Sequence, residues 1–191
     1  METKTVLLVG VGGQGTILAG DILAKTAAAA GCEVKLSEIH GMSQRGGSVS
    51  TVVRFGDEVS SMICDPGSAD CIVAFEAIEA LRAQQFLKKG GSLFVNDEII
   101  SPVTVAIGAA EMPSDAKGRL QALNATLVPA GSIARKAGSP KSTNVVLIGA
   151  LSTALPFAEK LWKDVIEKRV PPKTVSANLE AFEAGRRSVG A

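Results

Sequence analysis

The stretch His40-Gly41-Met42-Ser43-Gln44-Arg45-Gly46-Gly47 concentrates the chemistry this sequence can offer. It sets the single histidine, an amide and a guanidinium within six residues. The glycines around them let backbone approach a ligand closely. Arg45 has the planar fork that clamps a carboxylate or phosphate through two hydrogen bonds. His40 can donate to a carbonyl or thioester oxygen, or move a proton near neutral pH. The competing reading is a plain loop, in which Arg45 pairs with a nearby acid and His40 is a satisfied, half-buried residue. No GxSxG accompanies the stretch, so a nucleophile elbow with a catalytic triad is not expected.

A second group of residues is Gly10-Val11-Gly12-Gly13-Gln14-Gly15. Gly10, Gly12 and Gly15 satisfy GxGxxG between an apolar run and a helical pattern, where N–H groups and a helix dipole can reach a phosphate. A ribose-reading acid belongs about 20 residues further on, and Glu38 stands near that point. One reading is therefore a free-standing NAD- or flavin-binding oxidoreductase of Rossmann type. The other is that the glycines only permit a tight turn and close helix–strand packing. The loop lacks the Lys-Ser/Thr of a Walker A motif, so ATP hydrolysis is not expected. Asn144 opens a long apolar run, and either reaches the same region or caps that helix.

These residues need a frame, and hydrophobic periodicity supplies one. Val6–Val9 reads as a strand buried on both faces, and Thr16–Ala30 as a helix stacking Leu18 on Ile22 and closed by Gly31. Glu33–Ser37 is a second strand. Val49, Thr51, Val53 and Phe55 alternate along a third, with a Gly56-Asp57 turn and a return strand near Val59–Cys64 as an inserted antiparallel hairpin. Cys71–Phe75 is again a buried strand. Glu76–Lys89 reads as a helix with Ile78, Leu81 and Phe86 inward, stopped by Gly90-Gly91. Ser92–Val95, Val103–Ile107 and Ala125–Val128 are further strands, the last after a short helix that Ser114 caps. Val145–Leu155 is apolar all round and hence a buried helix. Phe157–Arg169 turns Phe157, Leu161, Val165 and Ile166 inward, with Glu159–Lys163 and Asp164–Lys168 paired outside. Beyond the Val170-Pro171-Pro172 break, Lys173–Ser188 forms a terminal helix. The expected fold is α/β: a Rossmann-like, doubly wound, mostly parallel sheet with an inserted antiparallel hairpin and a helical C-terminal arm. Residues 1–169 form the domain and 170–191 an arm packing on it or on a partner.

Composition removes several functions. With 20 Lys+Arg against 19 Asp+Glu there is no strong basic face for nucleic acid. Six Phe, one Trp and no Tyr leave few rings for base stacking. Cys32, Cys64 and Cys71 are three, scattered, and without a CxxC spacing. That pattern suits a reducing compartment and is one thiolate short of an ordinary iron–sulfur cluster. Their spacing with His40 fits no zinc knuckle. No export signal or membrane-spanning run is visible, so a cytoplasmic protein is expected.

Taken together, Leu8-Val9-Gly10-Val11-Gly12-Gly13-Gln14-Gly15 and Glu38-Ile39-His40-Gly41-Met42-Ser43-Gln44-Arg45-Gly46-Gly47 resemble the gamma-type domain of 2-oxoacid:ferredoxin oxidoreductases. Val52-Val53-Arg54, Asn144 with Gly149-Ala150-Leu151, and Asn178 with Ala181-Phe182-Glu183-Ala184-Gly185 extend the resemblance over nearly the whole chain. The length is most similar to the beta subunit of the indolepyruvate branch. The resemblance implies a subunit inactive alone, beside a larger alpha subunit that carries thiamin diphosphate and iron–sulfur clusters. The complex would decarboxylate a 2-oxoacid, pass electrons to ferredoxin and release an acyl-CoA. This chain would bind none of those cofactors by itself; Gly56-Asp57-Glu58 is no thiamin motif. It would wall the active site, with Gln44, Arg45 and Asn144 contacting substrate or CoA and His40 as candidate catalytic residue. Gly10, Gly12, Gly13 and Gly15 would offer N–H groups to a phosphate or to the partner's backbone. Trp162 reads as a packing residue rather than an aryl platform. A non-catalytic scaffold, with the His40–Gly47 loop purely an interface, is the third reading.

Overall fold

Val6–Val9 has no polar position to offer water, and the computed structural model buries all four side chains in the middle of a sheet. The structure describes residues 1–40, 47–101, 105 and 107–189. Its strands are β1 (Lys4–Val11), β2 (Glu33–His40), β3 (Ser48–Gly56), β4 (Ala69–Ala74), β5 (Leu87–Asn96) and β6 (Thr126–Val128). They form one sheet in the order β2-β3-β1-β4-β5-β6, with β1, β4, β5 and β6 parallel and β3 antiparallel to both its neighbours. The helices are α1 (Thr16–Ala29), α2 (Ala77–Ala83), α3 (Ala116–Ala122), α4 (Ala130–Lys136), α5 (Thr143–Ser152), α6 (Glu159–Arg169) and α7 (Val175–Arg187). Helices lie on both faces, so the sheet is doubly wound as expected.

The antiparallel element is built differently from the expectation. β3 pairs with β2, from Glu33 opposite Gly56 to His40 opposite Val49, and inserts between β2 and β1. Residues 58–65 form no strand. Arg54 holds that segment through side-chain hydrogen bonds to the carbonyls of Ser61 and Ile63 at 3.0 and 3.1 Å. Val59 is buried, and its N–H goes to Glu33 Oε2 at 3.0 Å instead of to a ladder partner. The β1-α1-β2 crossover is consequently split by a strand.

Three further readings are corrected. The helix after β4 stops at Ala83, and a 3-10 turn over Gln84–Phe86 leads directly into β5. Gly90, at φ 81°, sits inside β5 where its pairing with β4 shifts register, so the Gly pair accommodates a bulge rather than ending a helix. Asp115, not Ser114, caps α3, from a left-handed conformation and with Gly118 N–H at 3.1 Å. Asp164 pairs with Lys160 rather than Lys168, whereas Glu159–Lys163 forms as expected at 2.7 Å. The expected strand Val103–Ile107 falls largely outside the described residues; Val105 is helical and Ile107 lies in a turn.

Gly31 closes α1 as predicted. Its positive φ lets the Gly31 and Cys32 N–H groups return to Ala28 and Ala27 carbonyls at 3.0 and 3.1 Å. α5 is buried from Asn144 through Ser152 and crosses α7 where Gly149 and Gly185 bring the two backbones together. Leu161 is only half-buried. The position next to it, Trp162, is fully buried between Phe157 and Phe182, at ring distances of 6.0 and 6.2 Å, so it is a core residue.

Candidate functional site at the carboxyl edge of the sheet

The carboxyl ends of β1, β2, β4 and β5 point the same way, and ligand sites in open α/β sheets gather at that edge. The glycine loop leaves β1 there and the His40–Gly47 stretch leaves β2 there. The structure joins them: Gly12 N–H donates to the Gly47 carbonyl at 2.8 Å. His40 ends β2 opposite Val49, so both ends of the stretch are anchored. Gln44 and Arg45 lie outside the described residues.

Within the glycine loop, Gln14 turns back on its own chain. Its Oε1 accepts the Val11 N–H at 2.7 Å, and its Nε2 donates to the Phe75 carbonyl at 3.2 Å. A Cβ at Gly10 would meet that Oε1 at 2.7 Å and Phe75 Cβ at 2.9 Å, so only glycine fits there. Gly13 and Gly15 both have positive φ, 104° and 83°. Asn144, buried at the start of α5, donates through Nδ2 to the Gly15 carbonyl at 3.3 Å. It is therefore brought to the loop, as a clamp from behind it. The Gly12 N–H and the Gln14 N–H, the latter on Val11 O at 3.1 Å, are both engaged within the protein.

Glu38 is exposed on the outermost strand. It registers with Thr51 of β3, which in turn registers with Leu8 of β1. β3 thus holds it about 9.5 Å, two strand spacings, from β1. A Rossmann ribose clamp has its acid on the strand next to β1, and that arrangement is not built here.

The same edge gathers side chains that the sequence reading passed over. Asn96, buried at the end of β5, donates to Phe75 O at 3.1 Å and to Glu98 at 3.0 Å and accepts Ala130 N–H at 3.2 Å. Phe75 O thereby receives two amides, one from each neighbouring strand end. Glu76 is buried and caps α2, accepting N–H groups of Ile78 and Glu79. Burial pushes its carboxyl above the ordinary range, partly offset by those N–H groups. Glu79 accepts Ser48 Oγ at 2.5 Å and Arg82 at 2.7 Å, which ties the first residue of β3 to α2. Both carboxylates are engaged within the protein, Glu76 by backbone N–H groups and Glu79 by the Ser48 hydroxyl and the Arg82 guanidinium. Their signal in the sequence was the first polar residue after an apolar strand run, as in Phe75-Glu76 and Val95-Asn96.

Cys71 is buried on β4, its thiol pushed up to about 11 by burial and by the neighbouring Asp70 charge, whereas metal ligation needs the thiolate. Among the described residues, no three His, Cys, Asp or Glu side chains are placed to hold a metal ion. Nor, among them, is any helix long and apolar enough to cross a membrane.

Comparison with known proteins follows the same lines. The family model for pyruvate ferredoxin/flavodoxin oxidoreductase matches residues 5–188. The chain is 43% identical to the indolepyruvate oxidoreductase subunit IorB of Thermococcus kodakarensis, covering 97% of this chain and 95% of that one. It is 39% identical to the subunit of the same name from Archaeoglobus fulgidus, over 94% and 92%. Among solved structures, the gamma subunit of a keto/oxoacid ferredoxin oxidoreductase from Geobacter sulfurreducens superposes with a TM-score of 0.72 at 24% identity, over 97% and 98% of the two chains. A 2-oxoglutarate:ferredoxin oxidoreductase from Magnetococcus marinus gives 0.73 at 24% identity, over 99% of this chain and 31% of that longer one.

Proposed function

Because the chain belongs to the pyruvate ferredoxin/flavodoxin oxidoreductase family, we propose that it is the smaller subunit of an indolepyruvate-type 2-oxoacid:ferredoxin oxidoreductase. The observation that carries this reading is the near end-to-end match to the Thermococcus subunit. The complex oxidatively decarboxylates an aryl 2-oxoacid to an acyl-CoA in the cytoplasm and hands the electrons to ferredoxin. Thiamin diphosphate, held by a larger subunit together with the iron–sulfur clusters, supplies the electron sink for decarboxylation. This chain has no catalytic activity alone.

Its own residues wall the active site. Two anchors, the Gly12–Gly47 hydrogen bond and the β2–β3 ladder, hold the ends of the His40–Gly47 stretch at the carboxyl edge. Arg45 and Gln44 contact the 2-oxoacid carboxylate or a CoA phosphate, and His40 donates to a carbonyl or thioester oxygen. Asn144 and Gln14 support this wall by fixing the glycine loop. The free-standing NAD- or flavin-enzyme reading is disfavoured, because β3 separates Glu38 from β1 and Gln14 fills the inside of the loop.

The test is an anaerobic pull-down of the tagged chain from its host. The expected eluate contains a larger subunit, thiamin diphosphate and brown cluster absorbance, and reduces ferredoxin only with indolepyruvate and CoA. A lone chain carrying nicotinamide or flavin refutes the reading. In intact complex, Arg45→Ala is expected to raise the KM for 2-oxoacid or CoA about tenfold or more, the worth of one lost charged contact. Weakened assembly with unchanged kinetics would make the stretch an interface only.

A further inference from the structure

Residues 58–65 lead from the end of β3 toward β4 without joining the sheet. Among the described residues, no backbone–backbone hydrogen bond ties 58–64 to any strand or helix. Three side chains hold the segment instead. Thr3 Oγ1 donates to Glu58 O at 2.7 Å, and Glu33 Oε2 accepts the Val59 N–H at 3.0 Å. Arg54 Nη1 donates to Ser61 O and Ile63 O at 3.0 and 3.1 Å. The chain on either side is fixed independently, by Asp57 N–H on Met1 O at 3.0 Å and Gly67 N–H on Gln85 O at 2.9 Å.

Apolar burial adds little to this hold. Only Val59 of the segment is buried, whereas Met62 and Ile63 are 47% and 64% exposed. Arg54 carries the middle of the segment alone: its Nη1 makes both carbonyl contacts, and its buried Nε has no partner among the described residues. A buried donor left unpaired carries a desolvation cost, and opening would return that donor to water. A piece of chain with one buried apolar side chain and no ladder sits at the low end of local stability, well below the sheet it lies on.

We infer that residues 58–65 are a strap latched by Arg54, which opens as one unit between Asp57 and Gly67 while the sheet stays folded. Opening parts Met62 and Ile63 from Ser50 and Val52 of β3 and from Phe86, with which they line one depression in the closed form.

Two cysteines of the chain report the two kinds of opening. Cys64 is half-buried within the strap, its Sγ 3.5 Å from Ser68 Oγ, and Cys71 is buried in β4. The thiolate is the reacting form, and burial pushes both thiols up. The whole chain is alkylated with iodoacetamide at fixed pH over sub-denaturing urea, and each cysteine is quantified by peptide mass. In wild type, Cys64 is expected to react about tenfold or more faster than Cys71, yet more slowly than in unfolded chain, at a rate that hardly responds to urea. Arg54→Met is expected to raise the Cys64 rate about tenfold or more, the worth of one lost charged contact, without changing Cys71. The Arg54 charge lowers the Cys64 thiol, so its loss alone would slow the reaction, and acceleration reports opening. Arg54→Lys, which keeps the charge on a single point donor, should fall between. Cys64 and Cys71 rates that rise together with urea in wild type would mean that the segment opens only with the whole fold. A wild-type Cys64 already at the unfolded rate would mean that the strap is never closed. Unchanged Cys64 rates in both variants would remove the latch, and a rise shared equally by Cys71 would make Arg54 a residue of the global fold. Each of these results overturns the inference. If Arg54→Met does not fold, the wild-type and Arg54→Lys rates decide alone.

Discussion

Replacing Gly15 by alanine tests how the glycine loop is held. Gly15 has φ 83°, a left-handed conformation that costs an L-residue about 1–2 kcal/mol. An added Cβ would also meet Asn144 Nδ2 at 2.6 Å and Cγ at 3.3 Å. Asn144 is buried, so its amide must shift, losing the hydrogen bond to Gly15 O and overpacking its surroundings for about 1–3 kcal/mol. Gly15→Ala is therefore expected to destabilise by about 2–5 kcal/mol. Asn144→Ala alone should cost about 1 kcal/mol, because the Gly15 carbonyl keeps the Ala19 N–H at 3.1 Å. In the double variant the collision vanishes, since Asn144 Cβ is an ordinary contact away at 3.6 Å. Only the backbone strain and the lost hydrogen bond remain, about 2–3 kcal/mol together. The double variant should thus be more stable than the sum of the singles by about 1–3 kcal/mol. Urea unfolding with an unchanged m-value measures each corner of the cycle. Additivity within about 0.5 kcal/mol would refute the claim that Asn144 and the left-handed glycine are fitted to one another.

Gly185→Ala sets a Cβ 2.8 Å from the Val146 carbonyl carbon and 3.0 Å from its Cα, both backbone, so α5 and α7 must part. A loss of about 3 kcal/mol, or roughly 6–12 °C in Tm, is expected, and a shift below 2 °C would contradict so close a crossing. Asp70 gives an acid-side test. Burial pushes its carboxyl up, but the Thr5 N–H at 2.9 Å and the Lys4 and Lys88 ammonium groups, both at 3.3 Å, outweigh this and hold it below the ordinary 3.8. A depressed carboxyl contributes stability above its unfolded pKa and loses it as pH falls through the folded one. Wild type should therefore lose urea resistance more steeply below about pH 4 than Asp70→Asn, and parallel profiles would remove Asp70 from the balance.

Much of the frame was legible because the cause of each feature lies in adjacent residues. The run Val6–Val9, the glycine loop, the Gly31 helix stop and the uniformly apolar α5 each carry their cause in adjacent residues. Pairing partners do not. Period-2 alternation over residues 49–55 says strand, but it cannot say that β3 returns to β2 and wedges against β1. The segment expected to pair with it is instead held by Arg54, whose side chain donates to the carbonyls of Ser61 and Ile63. Lys88-Lys89-Gly90-Gly91 read as a helix end because a bulge in an edge-side strand uses the same residues. Asn96 was missed because its partners, the Phe75 carbonyl and the Ala130 N–H, come together only in the folded sheet, and the Glu79–Ser48 contact likewise joins α2 to a strand far away in the chain.

The sequence by itself determined the α/β class, the two motifs and their family, since strand burial, helix stops and motif spacing are properties of neighbouring residues. The tertiary structure decided which strand lies beside β1, and with it the separation of Glu38 from the glycine loop. It also decided that Gln14 and Asn144 close on that loop. Those are contacts between residues far apart in the chain, where burial and hydrogen-bond satisfaction are settled jointly and no local pattern records the outcome.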